Sequence, residues 1–181
     1  MALIIKFAKP KRTDRFPTWD HSNADAVSKC VHYIYKGVTD LPEEEQMFGF
    51  IGIPDGVSLE EAIEWMMMAK KIHGAEEGVQ CKHIVVSFGK KPEWKNKKFK
   101  KLAEKIIGIW EGRFQVCWGY HHENIGTPKE NFHLHVIVNS VDLKTGKRLD
   151  LNYKRWRKFK KNAKRKWEVM TAQRAFSTAD G

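Results

Sequence analysis

Two histidines separated by one residue interrupt an apolar segment of the chain. His133 and His135 lie in the run from Asn131 to Ser140, where branched aliphatic residues dominate. Side chains alternate between the faces of a β-strand, so both imidazoles are predicted to point the same way, and Leu134 and Val136 into a core. Two imidazoles on one sheet face can share a metal ion when a third group completes the ligand set. The alternative is one core histidine and one surface histidine, and the apolar setting of the pair favours the metal site.

A third ligand is predicted to come from the segment Tyr120-His121-His122-Glu123. This segment ends the preceding predicted strand, and the loop that follows it is short enough to return the chain antiparallel. Two more histidines and a carboxylate would then lie beside His133 and His135. Three imidazoles with open coordination positions suit a divalent cation that must also hold a phosphate oxygen. The residues alone leave His121 and His122 as alternatives for the third ligand.

Other histidine-based sites fit the sequence less well. Histidine-triad nucleotide hydrolases have alternating histidines at three positions, and the third position here is Ile137. Phosphoesterases with two His-x-Ser/Thr motifs need a hydroxyl two residues after each histidine, and zinc proteases need HExxH. Metal-assisted phosphoryl transfer remains as the predicted chemistry.

The whole chain is consistent with a protein that acts on a polyanion. Its 181 residues predict one compact domain, and a formal net charge of +11 points first to nucleic acid and second to an acidic membrane surface. The cysteines are widely spaced in apolar stretches and are predicted to be buried free thiols in a reducing compartment: Cys30, Cys81 and Cys117. We find no signal peptide and no run of bilayer-spanning length, and therefore expect a soluble, cytoplasmic protein without a membrane partner.

An early helix is predicted from about Ala24 to Tyr35. Ser22 and Asn23 can cap it, and Gly37 is predicted to stop it. Its apolar stripe consists of Ala24, Val27, Cys30, Val31 and Ile34. Tyr33 lies about 120° from the centre of that stripe and is predicted to reach outside the core. Tyr35 lies close to the stripe.

The remaining pattern predicts an α+β fold with a central, mostly antiparallel sheet of about five strands and flanking helices. Residues 1–150 would form the main domain, and the basic, aromatic helix within residues 151–181 would belong to it. The predicted strands are 3–7, 46–53, 79–89, 114–122 and 132–141. The other predicted helices are 58–72 and 93–110. The first of these two helices opens with the capping box Ser58-Leu59-Glu60-Glu61.

These segments together resemble the nuclease domain of conjugative relaxases in the HUH endonuclease superfamily, closest to the mobilisation P (MOBP) class. The resemblance covers roughly residues 2–150. The histidine segments and Thr145-Gly146-Lys147-Arg148 resemble the family's third motif, and residues 82–88 resemble its strand before a lysine-rich helix. Val31-His32-Tyr33-Ile34 resembles its nucleophile motif.

The resemblance implies a transesterase that nicks and rejoins single-stranded DNA at a transfer origin during mobilisation of a plasmid or integrative element. In such enzymes a tyrosine attacks the phosphodiester and forms a 5′-phosphotyrosine, while a divalent metal, Mg²⁺ or Mn²⁺, is held by three histidines. Carried over to this chain, the nucleophile is Tyr33, with Tyr35 as runner-up. The metal ligands are His121, His133 and His135, and Glu123 is a candidate general acid/base or ligand-orienting residue.

The implied partners are single-stranded DNA, an origin hairpin, accessory relaxosome proteins, a separate helicase and a coupling protein. The basic tail could contact DNA phosphates, and Phe159 and Trp167 could offer stacking surfaces unless they pack into the core. The predicted DNA-binding residues are Arg155, Trp156, Arg157, Lys158, Lys160 and Lys161.

Two rival interpretations remain open. One is a rolling-circle replication initiator or transposase of the same superfamily, in which the tyrosine is expected after the His-x-His motif. Tyr153 is the only tyrosine there, so the early Tyr33 favours the relaxase order. The other is a non-catalytic accessory protein that binds an origin hairpin.

Overall fold

The computed structural model describes residues 3–7, 21, 23–89, 96–123 and 131–177, and the side chains of most of them. It has the predicted α+β fold, with a five-stranded sheet and four helices. The strands are β1 (Ile4–Phe7), β2 (Met47–Ile51), β3 (Cys81–Gly89), β4 (Val116–Glu123) and β5 (Asn131–Asn139). The helices are α1 (Ala26–Thr39), α2 (Leu59–Ile72), α3 (Asn96–Ile107) and α4 (Tyr153–Ser177).

Every pair of neighbouring strands is antiparallel, and the strand order is β1-β3-β5-β4-β2. The strand that carries the two alternating histidines, β5, is therefore central and has a partner on each side. Its alternation is the predicted one: Leu134 and Val136 enter one core cluster, and Ile137 enters another on the opposite face. This central position fixes the direction of each side chain on β5, because a shift of one residue would send the apolar set to the wrong face.

Two helices cover each face of the sheet, and the two faces differ in the polarity of their buried side chains. We call the side covered by α1 and α2 the front face, and the side covered by α3 and α4 the back face. The back face is a continuous apolar cluster, in which Trp167 lies 5.0 Å from Phe88 and Phe159 lies 4.9 Å from Trp110 between ring centroids. The predicted stacking role of Phe159 and Trp167 is therefore wrong, because both rings are buried in this core.

The front face combines apolar packing with buried polar groups. Asn139 on β5 donates to the carbonyl of Met66 on α2 at 2.8 Å and to Oε1 of Gln115 at 2.9 Å, which ties the helix to the sheet. The predicted capping box of α2 is confirmed, since Ser58 N–H donates to Glu61 Oε2 at 2.7 Å and Ser58 Oγ accepts from Glu61 N–H. None of the helices in the described ranges combines the length and apolar character needed to cross a bilayer.

Helix α1 differs from its prediction at both ends. It begins at Ala26, where the N–H donates to the carbonyl of Asn23, and it continues through Gly37 to Thr39. Gly37 does not end the helix, because its φ angle is helical and the apolar stripe extends to Val38, which is buried. The extra turn allows α1 to span the front face as far as β4.

Candidate active site

Three histidines meet on the front face where β4 and β5 lie side by side. The strand register puts His121 directly opposite His133, and His135 follows two residues along β5 on the same face. The ring centroid of His121 lies 4.2 Å from that of His135 and 5.9 Å from that of His133. All three rings are almost fully buried. We call these three residues the histidine triad.

One ring nitrogen from each member of the triad lies within 4.8 Å of the others. Three imidazoles around one ion at about 2.1 Å would have nitrogens about 3–3.5 Å apart. The donor set therefore fits a divalent transition-metal ion, with coordination positions left for a phosphate oxygen.

Two glycines allow α1 to approach the sheet closely at this point. A Cβ atom at Gly37 would lie 2.1 Å from Nδ1 of His121, so the imidazole packs directly against the helix backbone. On β4, a Cβ atom at Gly119 would lie 2.4 Å from Cγ2 of Ile34. Any larger residue at either position would force the helix or the contacting side chains to move. The unexpected role of Gly37 is thus close packing against His121.

Tyr33 on α1 lies over the triad. Its ring centroid is 5.6 Å from that of His135 and 5.9 Å from that of His121, both with edge-to-face geometry. The side chain is 38% exposed, so it combines contact with the buried imidazoles and access from solvent. The prediction that Tyr33 reaches outside the core is confirmed.

Tyr35 was the alternative tyrosine, disfavoured because it lies near the apolar stripe. That reason is wrong, because Tyr35 is 42% exposed. What separates the two tyrosines is their neighbours: the ring of Tyr35 packs against Phe48 of β2, at 5.3 Å between centroids. A helix rotates by about 100° per residue, so residues two apart face different neighbours.

His83 on β3 is a neighbour of the triad that sequence reasoning missed. Its Nε2 lies 2.7 Å from Nδ1 of His135, a hydrogen bond between two buried rings. Burial, with smaller contributions from His21 and His121, lowers the pKa of His83 to about 3, so it is neutral near pH 7. The available signal was a single imidazole within the apolar strand 81–89. The missing information was that β3 pairs with β5, which sets Val85 opposite His135.

The remaining predicted residues lie at the edge of the site or away from it. Glu123 ends β4, where its backbone pairs with Asn131, but its side chain and that of His122 lie outside the described part of the structure. Their roles stay predictions. The predicted DNA-binding residues of α4 lie on a helix of the back face: Arg155, Arg157, Lys158 and Lys161 are exposed, and Trp156 and Lys160 are half-buried.

Comparison with known proteins identifies relatives over most of this region. The model of one family, the MobA/VirD2-like relaxase nuclease domain, matches residues 38–168. The matched range contains the triad and begins five residues after Tyr33. The chain is also similar to Protein rlx of Staphylococcus aureus, with 35% identity over 88 residues. That similarity covers 47% of this chain and 25% of Protein rlx. No solved structure matches significantly.

Proposed function

Because the chain belongs to the MobA/VirD2-like family of relaxase nuclease domains, we propose that it cuts and rejoins one DNA strand through a covalent tyrosine intermediate. The resemblance to relaxases predicted from the sequence is confirmed at the level of the family. The matched part is a quarter of the length of Protein rlx, so the activity, substrates and partners of this chain are proposals.

The observation that carries the proposal is the position of Tyr33 above the triad. A phenol 5.6 Å from the ring of His135, between centroids, can reach a phosphate bound beside the same imidazoles. Its partial exposure leaves a path for a single strand. Tyr153, the tyrosine expected to act in a replication initiator, begins α4 and is 75% exposed. The placement of Tyr33 supports the relaxase order of motifs.

The proposed reaction exchanges one phosphoester for another. The Oη atom of Tyr33 attacks the scissile phosphorus, a new O–P bond forms, and the bond from phosphorus to the 3′ oxygen breaks. The phenol proton leaves to a nearby base, for which Glu123 is the candidate, and the departing 3′ oxygen takes up a proton. Because the number of phosphoester bonds is unchanged, attack by a 3′-OH reverses the reaction and restores the strand.

The triad is proposed to bind Mn²⁺ or Mg²⁺, with His121, His133 and His135 as ligands. Such an ion would polarise the phosphate and stabilise the charge that develops during attack. Nitrogen donors favour Mn²⁺, because Mg²⁺ prefers oxygen ligands and loses its water reluctantly. The fold holds the three imidazoles in place. The pairing of β4 with β5 sets their spacing, and Gly37 leaves room for the ring of His121. Nε2 of His83 is hydrogen-bonded to Nδ1 of His135.

The DNA is proposed to be a single strand at a transfer origin, with its hairpin. A formal net charge of +11 favours binding to phosphates. The exposed basic residues of α4 lie across the sheet from Tyr33, so they would hold a flanking part of the origin and not the scissile phosphate. Mobilisation of a plasmid or integrative element would require accessory relaxosome proteins, a helicase and a coupling protein as partners.

The direct test is formation of a covalent adduct. A labelled single-stranded oligonucleotide that spans the transfer origin is incubated with the protein and Mn²⁺, and adducts are separated on a denaturing gel. We expect an adduct with the wild type and none with Tyr33→Phe, since the phenylalanine lacks the attacking oxygen. Tyr35→Phe is the matched control, because Tyr35 is similarly exposed on the same helix and should retain the reaction.

Two results would contradict the proposal in different ways. An adduct with Tyr33→Phe would show that another residue attacks the phosphorus. A wild-type protein that binds the oligonucleotide in the presence of Mn²⁺ but forms no adduct would favour a non-catalytic hairpin-binding protein.

A further inference from the structure

A second group of potential metal ligands lies next to the triad. It consists of His21, which precedes α1, Cys30 on α1 and His83 on β3, and we call it the thiol cluster. One donor atom from each residue lies within 4.8 Å of the other two. Nδ1 of His21 lies 3.7 Å from Sγ of Cys30, and the ring centroids of His21 and His83 are 6.3 Å apart.

Three separate segments of the chain bring these donors together. Cys30 is fully buried on the apolar stripe of α1, and His83 is buried in the sheet. His21 is half-buried, and its carbonyl accepts a hydrogen bond at 2.5 Å from the N–H of Gln80, the residue before β3. The backbone at His21 is thereby attached to the start of the strand that carries His83. The backbone of each of the three residues is therefore held in place, by a helix, a strand or a hydrogen bond to the start of that strand.

We propose that the thiol cluster is a zinc site, separate from the triad, that fastens the start of α1 to β3. One thiolate and two imidazoles form a set that Zn²⁺ prefers, whereas Mg²⁺ and Mn²⁺ do not favour thiolate ligands. Since Cys30 lies less than one helical turn before Tyr33, a metal ion there would also fix the helix that carries the proposed nucleophile.

The distance between two of the donors agrees with tetrahedral zinc. With Zn–S near 2.3 Å and Zn–N near 2.0–2.1 Å, sulfur and nitrogen ligands of one ion lie about 3.5 Å apart. The observed 3.7 Å between Sγ of Cys30 and Nδ1 of His21 is close to that value. Three protein ligands leave one coordination position, and the half-buried His21 gives solvent a route to it.

His83 joins the two clusters. Its Nε2 is hydrogen-bonded to His135, which leaves Nδ1 for the thiol cluster. An imidazole bound to a metal through one nitrogen keeps its proton on the other nitrogen, here beside His135. Nδ1 of His135 would have to accept this hydrogen bond, and a metal ion on the other nitrogen of His135 would then require an imidazolate. Zinc in the thiol cluster is therefore expected to weaken metal binding at the triad.

Binding of zinc would release the proton of Cys30 to solvent. The hydrogen bond with Cys81 and burial both raise the pKa of the Cys30 thiol, so the metal-free side chain is protonated.

Cobalt provides a test that does not depend on DNA cleavage. Co²⁺ is added to metal-free protein, and the near-ultraviolet charge-transfer band between thiolate and cobalt is recorded. We expect the wild type to show the band, with an intensity that corresponds to one cobalt–thiolate centre per chain. The band should be lost in Cys30→Ser, and His21→Ala should weaken cobalt binding at least tenfold. Cys117→Ser, which removes another buried thiol of the front face, should keep the band.

Further variants separate this proposal from the proposed function. His133→Ala should keep the band, because the triad contains no sulfur, and so should Tyr33→Phe. With the triad disabled by His133→Ala, Zn²⁺ should raise the Tm by several degrees, and adding Cys30→Ser to that variant should remove the effect. His21→Ala guards against misfolding as the cause of a loss, since His21 is only half-buried. No band in the wild type, or a band that persists in Cys30→Ser, would overturn the zinc site.

Discussion

The front and back faces of this sheet are built from alternate residues of the same strands, yet they do different work. On β5, Leu134 and Val136 enter a back-face cluster of aliphatic and aromatic side chains. His133 and His135 point to the front face, where two further imidazoles and the ring of Tyr33 lie against them. Burying polar groups costs free energy unless they are hydrogen-bonded or bind a ligand. The packing of the back face is thus expected to contribute most of the free energy of unfolding, and the front face carries the candidate active site.

Buried titratable groups underline this difference. The front face holds Lys70 on α2, which is fully buried, and burial lowers its pKa to about 8. It also contains Cys30, Cys81 and Cys117, all buried thiols. In the described part of the back-face cluster, the buried side chains are aliphatic or aromatic. Because the apolar back face packs tightly, it can hold the strands rigid while their other face carries the polar site.

The largest expected contrast is between two neighbouring residues, His135 and Leu134. His135→Ala should lower Mn²⁺-dependent DNA cleavage by about 10³-fold, as for loss of a group that stabilises transition-state charge. It should lower the free energy of unfolding by only about 1–2 kcal/mol, the cost of leaving His83 without this hydrogen bond. Leu134→Ala should lower the free energy of unfolding by about 3 kcal/mol, since it leaves a cavity in a fully buried site. Cleavage rates and urea unfolding curves measure the two effects.

This pair tests the division between the faces directly. Leu134→Ala should cleave at nearly the wild-type rate under conditions where it remains folded. If His135→Ala proves as destabilising as Leu134→Ala, or if it retains cleavage, the front face is a second structural core and the proposed metal role is wrong.

A glycine substitution should disturb the front face without touching a charged or catalytic group. In Gly37→Ala the new Cβ would lie 2.1 Å from Nδ1 of His121, so the ring or the helix must move. We expect Mn²⁺ affinity to fall by up to about 100-fold, as for loss of groups that orient ligands. Stability should fall by about 1–3 kcal/mol from overpacking. Isothermal titration with Mn²⁺ and thermal unfolding measure these changes.

Gly108→Ala is the matched control. Gly108 follows α3, and a Cβ atom there would meet only Oε2 of Glu111 at 3.9 Å, an ordinary contact. It should bind Mn²⁺ as the wild type does. Unchanged Mn²⁺ affinity in Gly37→Ala would show that the position of His121 does not depend on this close contact.

Gly37 also illustrates what the sequence could and could not predict. The alternation on β5, the source of a third histidine on β4 and the helical placement of Tyr33 all follow from local periodicity, and the structure brings these side chains together. From the local sequence alone, a glycine near the end of an apolar stripe predicts the end of a helix. Its packing against His121 depends on the distance between a helix and a strand 84 residues later, which no local pattern contains.

The same limit explains the other differences. His83 was overlooked because its role depends on the pairing of β3 with β5, a non-local property. Phe159 and Trp167 lie among many lysines and arginines, so composition suggested a DNA-facing surface. They are buried because they line the side of α4 that packs on the sheet, and the charges occupy the exposed side.

A smaller effect is expected from removing the hydrogen-bond partner of His135. His83→Leu should weaken Mn²⁺ binding by about tenfold, at the low end of the range for residues that orient metal ligands. The buried leucine leaves the fold largely intact, and isothermal titration measures the affinity. Lys82→Ala, at the neighbouring and half-buried position of β3, should bind Mn²⁺ normally. If His83→Leu and the wild type bind Mn²⁺ with equal affinity, His83 does not help to orient the metal ligands.

The smallest expected effect is a dependence on pH at the contact between α1 and α2. His32 Nδ1–H donates to the carbonyl of Ser28, and Nε2–H donates to Oε1 of Glu60 on α2, both at 2.8 Å. The Ser28 carbonyl makes the largest contribution and raises the pKa of His32; burial opposes it, and Glu60 raises the pKa further, so that it lies above its ordinary value. Because the folded state favours the protonated ring, this stabilisation is fully present below the pKa of an unfolded histidine, about 6.5. It is lost as the pH rises through the higher pKa of the folded state.

The contact is exposed, so its contribution should be only a few tenths of a kcal/mol. Thermal unfolding at about pH 5.5 and about pH 8.5 should show a greater loss of Tm on raising the pH for the wild type than for Glu60→Gln. Glu64→Gln, which removes an exposed carboxylate one turn later on α2, should keep the wild-type response. If Glu60→Gln and the wild type respond equally to pH, the link between α1 and α2 does not titrate.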